Sequence, residues 1–188
     1  MEMSNWFSKI EVKELSRILC KLPVSLGRVV EIGTYKGQSA KTLISSLNKI
    51  NSTEKLICVD PFSDFSLQSS SIIESGEHVY RTFISNMKEL GYQDRYEHFR
   101  MYSDEFWTQF KEPVRFVLID GSHEYDYVKS DIRNSYSNLS MGGVLVLDDI
   151  NFPQVAAAIN STIQRYGLPY SIIPHTKLGF VQKIGYII

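Results

Sequence analysis

Val29-Val30-Glu31-Ile32-Gly33-Thr34-Tyr35-Lys36-Gly37-Gln38-Ser39 opens as an apolar run, bends at two glycines and continues into residues spaced for a helix. Three more apolar runs repeat that order: Leu56-Ile57-Cys58-Val59, Phe116-Val117-Leu118-Ile119 and Val144-Leu145-Val146-Leu147. Each precedes a loop and a helical pattern, and serial βα units build a parallel sheet. The runs are nearly continuous rather than alternating, as strands covered by helices on both faces require. A weaker fifth strand fits around residues 96–102.

Between the runs the apolar period becomes helical. Leu43, Leu47 and Ile50 form one stripe, Val79, Phe83, Met87 and Leu90 a second, and Val128, Ile132, Tyr136 and Leu139 a third. A fourth runs through Val155, Ala158, Ile159, Thr162, Ile163 and Tyr166, and an earlier helix fits about residues 11–22. Gly91 is expected to close the second striped helix, Met141-Gly142-Gly143 the third, and Pro153 to open the fourth. Residues 170–173 and 178–184 read as two strands joined by a short link, which predicts antiparallel pairing. Residues 62–76, with Ser69-Ser70-Ser71, read as a mobile loop.

At 188 residues the chain is long enough for one compact domain, and 43% hydrophobic with 22% charged residues is a globular composition. Twenty Lys+Arg against 21 Asp+Glu leave no surplus to attract a nucleic acid or an anionic membrane. Cys20 and Cys58 sit in apolar surroundings and read as inert buried thiols. The first residues have no basic region leading into an apolar stretch, and no run approaches the ~18 residues of a membrane span. A cytoplasmic protein is the expectation, with oligomerisation left open.

Ligands of open α/β sheets bind beyond the carboxyl ends of the strands. The residues there are the stretch from Glu31 to Ser39, then Asp60, Tyr102-Ser103, Asp120-Gly121-Ser122-His123 and Asp148-Asp149. Any one of them could cap a helix. Together, carboxylates at four strand ends would repel unless a cation or a polyhydroxyl ligand stood among them. The first loop has Gly33 and Gly37 but lacks the third glycine of a dinucleotide site. Glu31 at its lip would oppose a pyrophosphate while favouring an amine or a sulfonium. S-adenosylmethionine has both cations and no phosphate. Asp60 is then placed for the ribose hydroxyls, and Ser103 for the adenine edge.

The segment from Val30 to Ala40 resembles the first motif of class I S-adenosylmethionine-dependent methyltransferases, especially the metal-dependent O-methyltransferases of the catechol and macrolide-sugar type. The resemblance extends to Asp60, Ser103, Leu118-Ile119-Asp120-Gly121-Ser122-His123 and Gly142-Gly143-Val144-Leu145-Val146-Leu147-Asp148-Asp149. It implies a single Rossmann-like, doubly wound α/β domain over residues 1–188, with a mostly parallel seven-stranded sheet, an antiparallel C-terminal strand and helices on both faces. It also implies cofactor contacts from Glu31, Gly33, Thr34, Tyr35, Gly37, Ser39, Asp60, Ser103 and Asp120.

Strand ends about 5 Å apart let Asp120, Asp148 and Asp149 converge on one hard cation, and in the resembling enzymes these would be Mg2+ ligands. His123 falls where those enzymes place the general base, a Lys in the catechol type and a His in the sugar type. The plainer alternative is a loop histidine bonded to backbone. His78, His98 and His175 have no such context. No G-x-S-x-G elbow, G-K-[ST] loop or H-E-x-x-H pair is present, and two isolated cysteines argue against zinc. The expectation is methyl transfer to a hydroxyl of a small-molecule diol, sugar or catechol-like acceptor, assisted by a divalent metal and His123. Cofactor binding without transfer and metal-independent transfer are the alternatives.

Overall fold

The computed structural model describes residues 7–66 and 73–185. In chain order its elements are α1 (Lys9–Lys21), a 3-10 turn (Val24–Leu26), β1 (Arg28–Ile32), α2 (Gln38–Lys49), β2 (Leu56–Val59), β3 (Phe65–Ser66) and β4 (Ile73–Glu74). There follow α3 (Gly76–Glu89), β5 (Tyr96–Phe99), α4 (Ser103–Gln109), β6 (Val114–Ile119), α5 (Tyr125–Asn138), β7 (Leu139–Leu147), α6 (Pro153–Tyr166), β8 (Tyr170–Ile172) and β9 (Gly179–Gln182).

Seven strands form one sheet in the order β5-β2-β1-β6-β7-β9-β8. The first five are parallel, β9 runs antiparallel to β7, and β8 antiparallel to β9. Successive residues of a strand point to opposite faces, and the core divides accordingly. Val29, Leu56, Cys58, Phe116, Leu118 and Val146 pack with residues of α1, α2 and α3. Val30, Ile57, Val59, Val117, Ile119 and Leu147 pack with residues of α4, α5 and α6. Both faces of the central strands are therefore buried, which is why their sequences are continuously apolar.

The expected α/β architecture is present, with shifts at element ends. α1 begins before residue 11 because Ser8 and Glu11 form a capping box: Ser8 N–H donates to Glu11 Oε2 at 2.7 Å, and Glu11 N–H to Ser8 Oγ at 3.3 Å. β5 stops at Phe99, short of Tyr102, and α4 begins at Ser103. Met141-Gly142-Gly143 does not close a helix. α5 ends at Asn138, and Leu139, the last residue of the expected stripe, already starts β7. A buried leucine satisfies either element, so periodicity could not separate them. Gly142 takes a φ of 82° inside β7, and its N–H donates to the carbonyl of Lys183, the residue after β9.

Gly91, at φ 71° beyond α3, and Pro153, opening α6, behave as their chemistry requires. Within residues 62–76, Phe65–Ser66 pairs with Ile73–Glu74, Phe62 is buried, and Asp64 Oδ1 accepts Gly76 N–H at 2.8 Å. Ser69-Ser70-Ser71 lie outside the described residues. Both cysteines are free thiols. Among the described residues, no helix is long and apolar enough to cross a membrane.

Candidate active site

Strand register sets the floor of the site. Ile32 is level with Val59 and Ile119, Val59 with Phe99, and Ile119 with Leu147. The next residues, Gly33, Asp60, Arg100, Asp120 and Asp148, therefore line one rim. Arg100 turns away from it, donating to Glu77 Oε2 at 2.9 Å and lying over the Tyr80 ring.

The loop after β1 is pressed onto its neighbour. A Cβ on Gly33, whose φ is 85°, would lie 2.1 Å from the Asp120 carbonyl oxygen, so only glycine allows this approach. Gly33 N–H donates to Val59 O at 2.9 Å. Tyr35 (φ 47°) and Gly37 (φ 88°) complete the turn into α2. Asp60 braces it from below: Oδ2 accepts the N–H groups of Thr34 and Tyr35, each at 2.9 Å, and Oδ1 accepts Phe62 N–H at 2.7 Å. A carboxylate has about four acceptor sites, so Asp60 shapes the loop with most of its capacity. Burial pushes its pKa up while those three amides pull against it.

Glu31 is inside the protein, not at the lip. It is fully buried on the α2 face, one residue before the end of β1, and its carboxylate oxygens are met only by the loosely placed side chains of Ser39, Thr34 and Cys58, none in good hydrogen-bond geometry. Thr34 Oγ1 is likewise buried without a hydrogen bond in good geometry. Burial lifts the Glu31 pKa to about 7, against the opposing influence of Ser39, Thr34 and Cys58. Orphaned buried acceptors are costly and uncommon in folded proteins.

Ser103 comes from the first turn of α4 rather than from a strand end, and its hydroxyl donates to Asp131 Oδ1. Its lone pairs remain for other donors. Asp131, on α5, is buried, and burial lifts its pKa to about 7. It was not among the expected residues because an acid inside a helix reads as solvated surface.

Asp120, Asp148 and Asp149 do converge, each offering an oxygen within 4.8 Å of the others. Burial and the adjacent Asp148 push the Asp120 pKa well up, and burial and Asp149 raise that of Asp148. Burial acts upward on Asp149 too, but hydrogen bonds from His123 and Lys177 bring it below the usual carboxylate range. His123 Nε2 lies 2.9 Å from Asp149 Oδ2, and Phe152 packs on the imidazole at 4.5 Å between ring centroids. Asp120, His123, Asp148 and Asp149 line a cavity of about 10 Å³, close to the space one water or small ion occupies. Asp148 Oδ1 is buried without a partner.

Lys177 is the residue the sequence did not expose. Its Nζ lies 3.0 Å from Asp148 Oδ2 and 2.8 Å from Asp149 Oδ1. The antiparallel register sets Leu147 beside Gly179, so Asp149, two residues after the one, meets Lys177, two residues before the other.

A sequence profile of the family described as "Methyltransferase domain" matches residues 30–150, more than half of the chain and the whole of this rim. The chain belongs to that methyltransferase-domain family. A search of the curated proteins finds no match. Among solved structures, the methyltransferase resembles the O-methyltransferase TomG from Streptomyces achromogenes, solved with SAM. That alignment has a TM-score of 0.70 and 14% identity, and covers 95% of this chain and 82% of the other. It also resembles the O-methyltransferase NovP, with a TM-score of 0.74, 13% identity and coverage of 93% and 79%. An O-methyltransferase from Bacillus cereus in complex with SAH aligns with a TM-score of 0.67, 16% identity and coverage of 96% and 84%. In this methyltransferase the matched segment runs from the strand that carries Glu31 to the residue after Asp149.

Proposed function

We propose that this chain is an S-adenosylmethionine-dependent O-methyltransferase acting on a hydroxyl of a small-molecule diol, sugar or catechol-like acceptor. The observation that carries the reading is the His123–Asp149 pair at the same rim as the Gly33 loop. A proton acceptor with its own orienting carboxylate stands where the strand ends gather a cofactor-type loop. The structures solved with SAM and SAH share the fold and support the donor.

Glu31, Gly33, Thr34, Tyr35, Gly37, Ser39, Asp60, Ser103 and Asp120 are the proposed cofactor residues. The cofactor supplies an electrophilic methyl group on a sulfonium. Glu31 meets a cationic amine with its buried carboxylate, Asp60 keeps the loop amides in place, and Gly33 allows the loop to close onto Asp120. Asp60, and Glu31 once ionised, set a negative field that favours a cationic donor over its neutral product.

The triad fits a hard divalent ion, Mg2+ in type: three oxygen donors lie close together, and Asp148 Oδ1 is buried without a partner. Asp120, Asp148 and Asp149 would hold it, and it would lower the cost of negative charge on a hydroxyl. His123 takes the hydroxyl proton. With the Nε2 proton directed at Asp149, the lone pair of the neutral ring is at Nδ1, which is the accepting atom. Asp149 fixes the ring and stabilises the imidazolium that results.

Metal-independent transfer is favoured by one observation: Lys177 already lies against Asp148 and Asp149. Calorimetry with S-adenosylmethionine, followed by transfer of labelled methyl to diols, sugars and catechols with and without EDTA, tests the reading. Binding together with label on a hydroxyl supports it. Absence of binding removes it, binding without transfer reduces it to a cofactor-binding protein, and full activity in EDTA removes the metal.

A further inference from the structure

Lys177 is held in place on both sides of its side chain. Its N–H donates to Glu11 Oε1 at 3.1 Å, while Glu11 Oε2 accepts Ser8 N–H at the start of α1. Its carbonyl accepts Ile150 N–H at 3.2 Å, directly after the acidic pair. Leu178 N–H donates to Thr176 Oγ1 at 3.0 Å, and Thr176 Oγ1 donates to Ile173 O at 2.8 Å. The backbone is thus fastened to the helix ahead of the sheet, to the segment after β7 and to its own turn. Only the four-carbon stem is free to change, and the side chain is 23% exposed, so a route to solvent is open.

The ammonium takes one oxygen of each of two triad members, Asp148 Oδ2 and Asp149 Oδ1. His123 takes the other oxygen of Asp149. Asp149 therefore has no unengaged oxygen for a metal while Lys177 is in place. Two positive charges in one partly buried pocket would also repel strongly.

We propose that Lys177 is a tethered competitor for the divalent cation: its ammonium takes the Asp149 oxygen that the ion needs and lies against Asp148 as well, and binding of the ion expels the side chain. This rests on the reading of the triad as a cation site. The ammonium keeps the carboxylates together when no divalent ion is present, so the pocket does not have to spread to relieve repulsion. Every divalent ion must then displace a charge pair, which weakens its apparent affinity.

The test uses the whole chain and Mn2+ alone. Mn2+ affinity is measured by electron paramagnetic resonance for the native protein, Lys177→Gln and Lys177→Arg. Lys177→Gln should bind at least about tenfold more tightly than native, the order expected when one close charge pair no longer has to be broken, and Lys177→Arg should bind like native. In the native protein, the rate of reductive methylation at Lys177, read by mass spectrometry, should rise on adding Mn2+. This readout decides the matter even if Lys177→Gln fails to fold. Equal Mn2+ affinity in native and Lys177→Gln, or unchanged amine reactivity at saturating Mn2+, overturns the competition while leaving the triad a metal site. No Mn2+ binding by either protein overturns both.

Discussion

The His123 imidazole Nε2 lies 2.9 Å from Asp149 Oδ2. Asp149 is the second residue after β7 and takes a φ of 53°, a left-handed conformation that a non-glycine residue adopts only when its surroundings hold it there. Its carbonyl accepts Phe152 N–H at 2.9 Å, and Phe152 in turn packs on the imidazole. One short turn thus supplies the carboxylate that orients the ring and the aromatic wall that limits its rotation. Under the proposed function, this pair is a base held by an acid partner, an arrangement suited to proton abstraction from a weakly acidic hydroxyl.

Replacing His123 by Ala should lower kcat by about 10²–10⁴-fold, the usual contribution of a positioned base. S-adenosylmethionine affinity, measured by calorimetry, should stay within error of native, because the proposed role of the imidazole is with the acceptor hydroxyl and not with the cofactor. An unchanged kcat would remove His123 from the mechanism.

Glu31→Gln tests the buried carboxyl. Hydrogen bonds to charged groups contribute roughly 1.5–3 kcal/mol, so cofactor affinity should drop about 10–100-fold. With its pKa at about 7, Glu31 ionises as pH rises through neutrality, and the ionised form is the one that attracts an amine. Native affinity should therefore strengthen between pH 6 and 8, roughly one unit either side of that value, while the variant stays flat. Equal affinity and an identical pH profile in the two proteins would exclude Glu31 from the site.

Asp131 should make the stability of the ligand-free protein pH-dependent. Burial raises its pKa from 3.8 to about 7 in the folded state, so between those values the folded chain holds a proton that the unfolded chain has lost. Stability contributed by this group is present at low pH and is lost as pH rises through that window, by as much as ~4 kcal/mol at about 1.4 kcal/mol per pKa unit. Urea unfolding at pH 5 and 8 should show Asp131→Asn gaining on native at the higher pH. A constant difference between the two proteins would contradict the assignment.

Two glycines separate crowding from backbone strain. A Cβ at Gly33 would sit 2.1 Å from the Asp120 carbonyl oxygen, while one at Gly91 would meet nothing within 4 Å. Both residues have positive φ. Gly91→Ala should cost about 1–2 kcal/mol from the backbone alone. Gly33→Ala should cost more than ~3 kcal/mol, because two main chains must separate, and it should also abolish cofactor binding. Similar urea midpoints for the two variants would mean that the β1 loop is not in contact with Asp120.

Much of the fold is legible in short stretches of sequence because local patterns carry it. Leu56-Ile57-Cys58-Val59 must be buried on both faces, and Val128, Ile132 and Tyr136 lie on one side of a helix whatever surrounds them. The acidic residues after the apolar runs could be placed at one rim for the same reason: parallel strands of a covered sheet present their carboxyl ends together. Legibility failed where one residue type suits two environments. Leu139 satisfies the end of a helix stripe as well as the start of β7, and Ser103 after a strand could not be distinguished from Ser103 opening α4.

From its own order of residues the chain determined a doubly wound sheet, a glycine loop after the first strand and a carboxylate at most strand ends, because strand, turn and helix preferences act over a few neighbouring residues. Only the tertiary structure decided that Glu31 is enclosed, that Asp60 braces the loop amides, and that Lys177 reaches Asp149 from 28 residues away. Those relations depend on which strands lie side by side and in what register. Register is a property of the packed sheet, set by the simultaneous burial of both its faces.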